Sequence, residues 1–78
     1  MNILRLPDLG SGSGEAEVVV WLKAVGERIV VGEPVLEVQS DKANVEVTAT
    51  VSGTLARVLA QEGQILRPGD PLAEIAEA

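Results

Sequence analysis

Histidine and cysteine are both absent from this sequence, which removes the commonest general base, thiolate nucleophiles, disulfide frameworks and zinc sites of the usual ligand type. Chemistry at neutral pH would need a borrowed group. The carboxylates Glu15, Glu17, Glu37 and Glu46 read as solvated faces rather than acid/base pairs, and as an acidic surface suited to a basic docking partner. One amine stands apart. Lys42 sits in Val38-Gln39-Ser40-Asp41-Lys42-Ala43-Asn44-Val45, two alternating segments joined by a short polar turn. Ser40 and Asp41 are good turn formers, because their side chains accept hydrogen bonds from nearby backbone N–H groups. Lys42 is then expected at the apex of a hairpin, fully solvated. Taken alone, such a lysine does no more than blunt the hairpin. No set of side chains supplies a nucleophile, a base and an orienting partner together, so a stand-alone enzyme is not expected and no metal site is either.

The elements that must hold this turn are strands. Apolar residues come in short runs cut by Gly and Pro, and they are aliphatic, with Trp21 the only aromatic residue. The runs are Ile3 to Leu6, Val18 to Leu22, Val35 to Val38, Val45 to Val51, Leu55 to Leu59 and Leu72 to Ile75, with shorter pieces at Ile29-Val30 and Ile65-Leu66. Leu36 and Val38 alternate with Glu37 and Gln39, and Val45, Val47 and Ala49 alternate with Asn44, Glu46 and Thr48. That period of two is that of a half-buried strand. Trp21 is expected to serve as packing volume in the core.

The chain also repeats itself. A displacement of 37 residues lays Val18 to Val38 over Leu55 to Ile75 without a gap, matching Gly26 to Gly63, Gly32 to Gly69, Pro34 to Pro71 and Glu37 to Glu74. Glycines and prolines mark turns that need a positive or a preset φ, so their coincidence implies two similar four-strand halves. Neither half can bury a hydrophobic face alone. The expected fold is therefore all-β: a flattened barrel or sandwich of two four-stranded antiparallel sheets with internal pseudo-two-fold symmetry. The junction around residues 40–43 is then the counterpart of the place where the chain ends meet, and the hairpin and the termini project from opposite ends.

With 78 residues there is room for one modest core. A formal net charge of −6 argues against nucleic acid as a partner. No apolar run approaches the ~20 residues of a membrane span, and nothing reads as a signal peptide, so the expectation is a soluble intracellular chain without a membrane partner. The absence of cysteine fits a reducing compartment. The domain is expected over residues 1–76, with 77–78 as the start of an interdomain linker.

The segment Glu37-Val38-Gln39-Ser40-Asp41-Lys42-Ala43 closely resembles the modification site of lipoyl domains in the acyltransferase (E2) component of 2-oxo acid dehydrogenase complexes. The similarity extends through Leu6-Pro7-Asp8-Leu9-Gly10, Val20-Trp21-Leu22, Val25-Gly26-Glu27, Val31-Gly32-Glu33-Pro34, Glu62-Gly63-Gln64 and Pro68-Gly69-Asp70-Pro71. Thr50-Val51-Ser52-Gly53 stands where that family commonly has Ala-Pro-x-x-Gly, and Gln39 stands where many members have Glu. Gln39-Ser40 looks more like the branched-chain acyltransferases than the typical pyruvate ones.

The resemblance implies lipoic acid joined covalently, as an amide, to Lys42, with Asp41 and Ala43 as recognition and turn-setting residues. It implies a swinging-arm carrier, a substrate in each step rather than a catalyst, for the 2-oxo acid decarboxylase (E1), the E2 catalytic core and dihydrolipoyl dehydrogenase (E3). A lipoate-protein ligase or lipoyl transferase would install the group. The loop Asp8 to Glu15 lies beside the lipoyl-lysine turn in that family and is expected to act as a specificity surface. An isolated domain of this kind is expected to be monomeric, in the cytoplasm of a bacterium or the mitochondrial matrix of a eukaryote. The related biotinyl domains share the fold and the apical lysine but typically carry Met on both sides of it, where this sequence has Asp41 and Ala43. Glycine-cleavage H proteins are longer and differ around the lysine. The alternatives are a biotin carboxyl carrier and an unmodified lipoyl-like interaction module, the latter usually having its halves separated by a long helical hairpin.

Overall fold

The computed structural model describes residues 1–9 and 14–77. Eight strands follow one another: β1 (Asn2–Arg5), β2 (Ala16–Trp21), β3 (Arg28–Ile29), β4 (Pro34–Gln39), β5 (Asn44–Thr48), β6 (Gly53–Val58), β7 (Ile65–Leu66) and β8 (Pro71–Glu77). They form two antiparallel four-stranded sheets, ordered β1-β8-β6-β3 and β5-β4-β2-β7. The all-β class and the two sheets agree with the sequence expectation, the shape being a flattened sandwich rather than a closed barrel. Among the described residues no helix is long and apolar enough to cross a membrane.

The two-fold relation runs through the backbone bonding. Leu22 N–H donates to Val35 O at 2.8 Å, and 37 residues on Leu59 N–H donates to Leu72 O at 2.9 Å. The sheets are not the halves, however. The short strand β3 leaves the first half to pair with β6, and β7 leaves the second half to pair with β2. The strand β1 closes the pattern by pairing with β8 as β5 pairs with β4. From Asn44 beside the polar turn, β5 runs to Thr48, and soon afterwards Gly53 pairs with Glu77 while Ile75 pairs with Asn2. At ~3.3 Å per strand residue, this carries the terminal strands to the end remote from the turn, as the symmetry implied. Glu77 is still paired, one residue past the expected boundary; of the two expected linker residues, Ala78 lies outside the described residues.

Four β-turns set the corners, and all have one construction. In Ala24–Glu27, Val30–Glu33, Gln61–Gln64 and Arg67–Asp70 the fourth residue's N–H donates to the first carbonyl at 3.0 Å, and its side-chain oxygen accepts the first residue's N–H at 2.8–3.1 Å. The third residue is always glycine at φ between 89° and 96°. That is the left-handed position of a type II turn, which L side chains avoid. The recurring x-Gly-Glu/Gln/Asp of the sequence is thus a turn with its own side-chain cap.

Inside, Ile29, Leu36, Leu55, Leu72, Ile75, Val18, Val35 and Val38 are almost wholly buried. Val35 and Leu36 are consecutive yet both inward. The pairing register slips at Val35 and at Val19, and again 37 residues later at Leu72 and Ala56. Each slip is a β-bulge, which breaks strict alternation and lets neighbouring residues share a face. Trp21 is half-buried against this core, its indole N–H donating to Ala60 O at 2.9 Å.

A different constraint acts at Gly53, where a Cβ would collide with the carbonyl of Ala76 on the neighbouring strand. Here space rather than φ demands glycine. Gly26 has nothing within 4 Å of its would-be Cβ. Gly26→Ala should therefore lose only the strain of a left-handed residue, about 1–2 kcal/mol. Gly53→Ala should lose about 3 kcal/mol or more, because β6 and β8 must part. Chemical denaturation of the two variants checks the order; equal losses would show that the contact at Ala76 yields freely.

Candidate functional site

The strands β4 and β5 converge at the Gln39–Asn44 pair, leaving the turn of residues 40–43. Ser40 N–H donates to Ala43 O at 2.9 Å, so only Asp41 and Lys42 lie beyond the last bonded pair. A two-residue hairpin loop normally has glycine or asparagine at positive φ, because that backbone matches the twist of the strands. Neither Asp41 nor Lys42 has positive φ. The turn is instead held from beneath by one hydroxyl. Ser40 Oγ accepts N–H bonds from Lys42 at 3.3 Å and Ala43 at 3.2 Å, and donates to Ala43 O at 3.0 Å. One donor and two acceptor sites are all a hydroxyl has, and all are used. Ser40 is 9% exposed and is the one buried polar side chain among the described residues.

The three residues picked out from sequence fall together here. Lys42 is exposed at the apex, as expected, and its ammonium makes no ion pair or hydrogen bond among the described residues. The only other lysine, Lys23, is held 3.7 Å from Glu33 with 21% of its side chain exposed. Asp41 is exposed, and its carboxylate bonds to no described residue. Ala43 contributes through its backbone N–H and carbonyl. The residue that sequence reasoning did not single out as a site is Ser40. Its signal was present: a serine opening a short polar loop that contains no glycine.

At the foot of the turn a shallow open depression is lined by Glu15, Ala16, Glu17, Gln39, Ser40, Asp41 and Ile65. The end of the expected specificity loop is therefore beside the apex, though residues 10–13 of that loop lie outside the described residues. Glu15 is paired with Arg67 at 3.4 Å. Glu37 faces Glu46 directly across β4 and β5. These carboxylates lie on or beside the sheet that carries the lysine, and Lys42 itself is exposed and outside the lining of this depression. The arrangement can do one thing chemically: offer an unencumbered primary amine, on a defined stalk, to a group brought from outside.

Residues 2–75 match the protein family described as "Biotin-requiring enzyme". The chain is 39% identical over 75 residues to the dihydrolipoyllysine-residue acetyltransferase component of the pyruvate dehydrogenase complex of Corynebacterium glutamicum, covering 96% of this chain and 11% of that protein. It is 41% identical over 71 residues to the component of the same name from Staphylococcus aureus, covering 91% of this chain and 16% of that one. The chain thus spans less than a fifth of the length of these relatives. Among solved structures, the lipoyl domain of the 2-oxoglutarate dehydrogenase complex from Azotobacter vinelandii superposes with a TM-score of 0.76 at 26% identity, covering 97% of this chain and 98% of that one. Urea carboxylase of Kluyveromyces lactis contains the same fold, with a TM-score of 0.82 at 24% identity over 96% of this chain and 6% of that one.

The two lysines should differ in reactivity. With a limiting amount of an amine-acylating ester, Lys42 should be acetylated roughly fivefold faster than Lys23, the factor that ~1 kcal/mol of pairing and occlusion at Lys23 represents. Peptide mass spectrometry reads the ratio, and equal rates would show that the Lys23–Glu33 contact does not hold in solution.

Proposed function

The chain belongs to the biotin- and lipoyl-attachment family, and from that premise we propose that it is a lipoyl carrier, with lipoate attached through an amide to Lys42 Nζ. The observation that carries the reading is an exposed amine, without an ion pair among the described residues, at the apex of a turn bonded by a buried hydroxyl. The residues present fit the group. An arm that must visit several active sites needs an open stalk and no pocket to hold it back, and the apex offers that. Asp41 and Ala43 flank the lysine where biotinyl domains typically carry methionines, and this favours lipoate over biotin.

The lysine amine attacks a lipoyl carboxyl carbon activated by ATP. The N–C bond forms as the bond to the activating group breaks, AMP leaves, and two protons pass from the former ammonium to solvent. The lysine charge is lost, taking the formal net charge from −6 to −7. When bound, the lipoyl group supplies a disulfide able to take up an acyl group together with two electrons and to release them separately. The chain's own part is orientation: the turn fixes where the tether begins, and tethering keeps its far end at high effective concentration around the sites it can span.

On this reading the parent protein is the acyltransferase (E2) of a 2-oxo acid dehydrogenase complex, and the domain serves E1, the E2 core and E3 in turn. A lipoate-protein ligase or lipoyl transferase modifies it. The carboxylates around the turn, Glu15, Glu17 and Asp41, suit basic docking surfaces on these partners. The domain acts as a monomer, in the cytoplasm of a bacterium or the matrix of a mitochondrion.

Intact-protein mass after incubation with lipoate, ATP and a lipoate-protein ligase checks the proposal. The native chain and Lys23→Ala should both gain one lipoyl increment, and Lys42→Ala should gain none. A parallel reaction with biotin and a biotin ligase should leave the native mass unchanged. Biotinylation instead would make this a carboxyl carrier, and no modification by either would leave an interaction module.

A further inference from the structure

We propose that Ser40 is the positioning residue for the chemistry at Lys42: its hydroxyl, and not the side chain of Asp41, holds the apex in the shape that an acylating enzyme reads. The proposal deepens the carrier reading and rests on it.

The loop between the paired Gln39 and Asn44 is not one of the glycine-built two-residue turns. Two-residue hairpins prefer positive φ at both central positions or at the first, and Asp41 and Lys42 have it at neither. The Ala43 N–H goes to Ser40 Oγ, so the hydroxyl takes part in closing the loop. Among the described residues, Ser40 alone reaches the loop with its side chain. Its hydroxyl binds the N–H of Lys42, the N–H of Ala43 and the carbonyl of Ala43. The bond to the Lys42 N–H matters most, because it ties the backbone that carries the reactive side chain to the end of β4. With 9% exposure, the serine is little open to competing water.

Beyond the end of the repeat at Val38 and Ile75 the two halves diverge. Displacing Ser40 by 37 residues leads to Glu77, a strand residue paired with Gly53 in the other sheet. No hydroxyl stands there, and the strand continues where its counterpart turns. The neighbouring position is an apolar-for-polar exchange that packing tolerates, Gln39 against Ala76. The hydroxyl thus stands where the two halves no longer correspond, at the turn that only the first of them makes.

Without the hydroxyl the loop is free to adopt other turn shapes, and Lys42 is correctly presented only part of the time. An enzyme that recognises one shape then shows an apparent affinity reduced by the fraction of time that shape is populated. The deficit falls on KM, while kcat for the bound, correctly shaped domain is nearly unchanged.

The test measures lipoylation rates of the 78-residue chain against its own concentration, with lipoate and ATP saturating and rates normalised to the folded fraction. Four proteins are compared: native, Ser40→Ala, Ser40→Thr and Gly26→Ala. Ser40→Ala should lose about five- to thirtyfold in kcat/KM, mostly in KM. Ser40→Thr, which keeps the hydroxyl, should return to within about twofold of native. Gly26→Ala, a strained turn in the opposite sheet, should keep the native kcat/KM although the fold is weakened, which separates presentation of the lysine from loss of stability. Ser40→Ala at the native kcat/KM, a fall no larger than that of Gly26→Ala, or a failure of Ser40→Thr to restore the rate would each overturn the role of the hydroxyl. A native chain that accepts no lipoate would instead overturn the carrier reading itself.

Discussion

The fold depends on a reciprocal exchange of backbone hydrogen bonds between its two halves. Gly26 N–H and Glu27 O bond to Leu55, at 2.8 and 2.9 Å; Gly63 N–H and Gln64 O bond to Val18 at the same two distances. Each turn belongs to one half, and each partner residue lies on the central strand of the other. Neither half can complete its own sheet, so neither is a folding unit by itself. A chain of this size buries too small a fraction of its surface to tolerate two independent cores. The exchange turns two inadequate halves into one adequate sandwich.

The same economy shows inside. The core holds aliphatic side chains, with Trp21 packed at its border. Strict alternation would give each strand only every second residue to bury. The bulges at Val19, Val35, Ala56 and Leu72 break that limit for the four long central strands. At β4 and β8 the result is two consecutive buried side chains, Val35 with Leu36 and Leu72 with Ala73. The bulges recur at the repeat distance, so they belong to the fold's design and not to local accident.

Much of this was legible in the residue order because its causes are local. Aliphatic runs cut by glycine mark strands, and glycines in register 37 residues apart mark equivalent turns. The polar interruption at residues 40–43 marks a hairpin with Lys42 at its tip, and the structure places it there. What was not legible depends on contacts across the fold. That β3 and β7 trade sheets is decided by which edge each short strand meets, and two-residue strands carry no pattern that names a partner. The bulges were hidden because valine at positions 19 and 35 fits either face. The importance of Ser40 was hidden for a related reason. A serine before Asp-Lys reads as one more turn former until the structure shows its hydroxyl bonded to both Lys42 and Ala43.

The pseudo-symmetry also shows where the molecule departs from what packing alone asks. In one sheet Glu74 lies beside Arg57, their charged groups 4.0 Å apart. At the equivalent place in the other sheet Val20 stands for Arg57, and Glu37 has Glu46 opposite it instead. Like charges directly across a strand pair are unfavourable, so stability did not select this arrangement. The sheet that bears the unsatisfied carboxylates is the one that ends in the Lys42 turn. On that sheet the apical amine is the one cation left without a carboxylate at bonding distance among the described residues, and acylation would remove its charge. A carrier built this way separates two demands that conflict within one structure. If Lys42 carries an arm as proposed, rigidity is needed in the turn that the Ser40 hydroxyl holds, and motion is needed beyond the Lys42 amine.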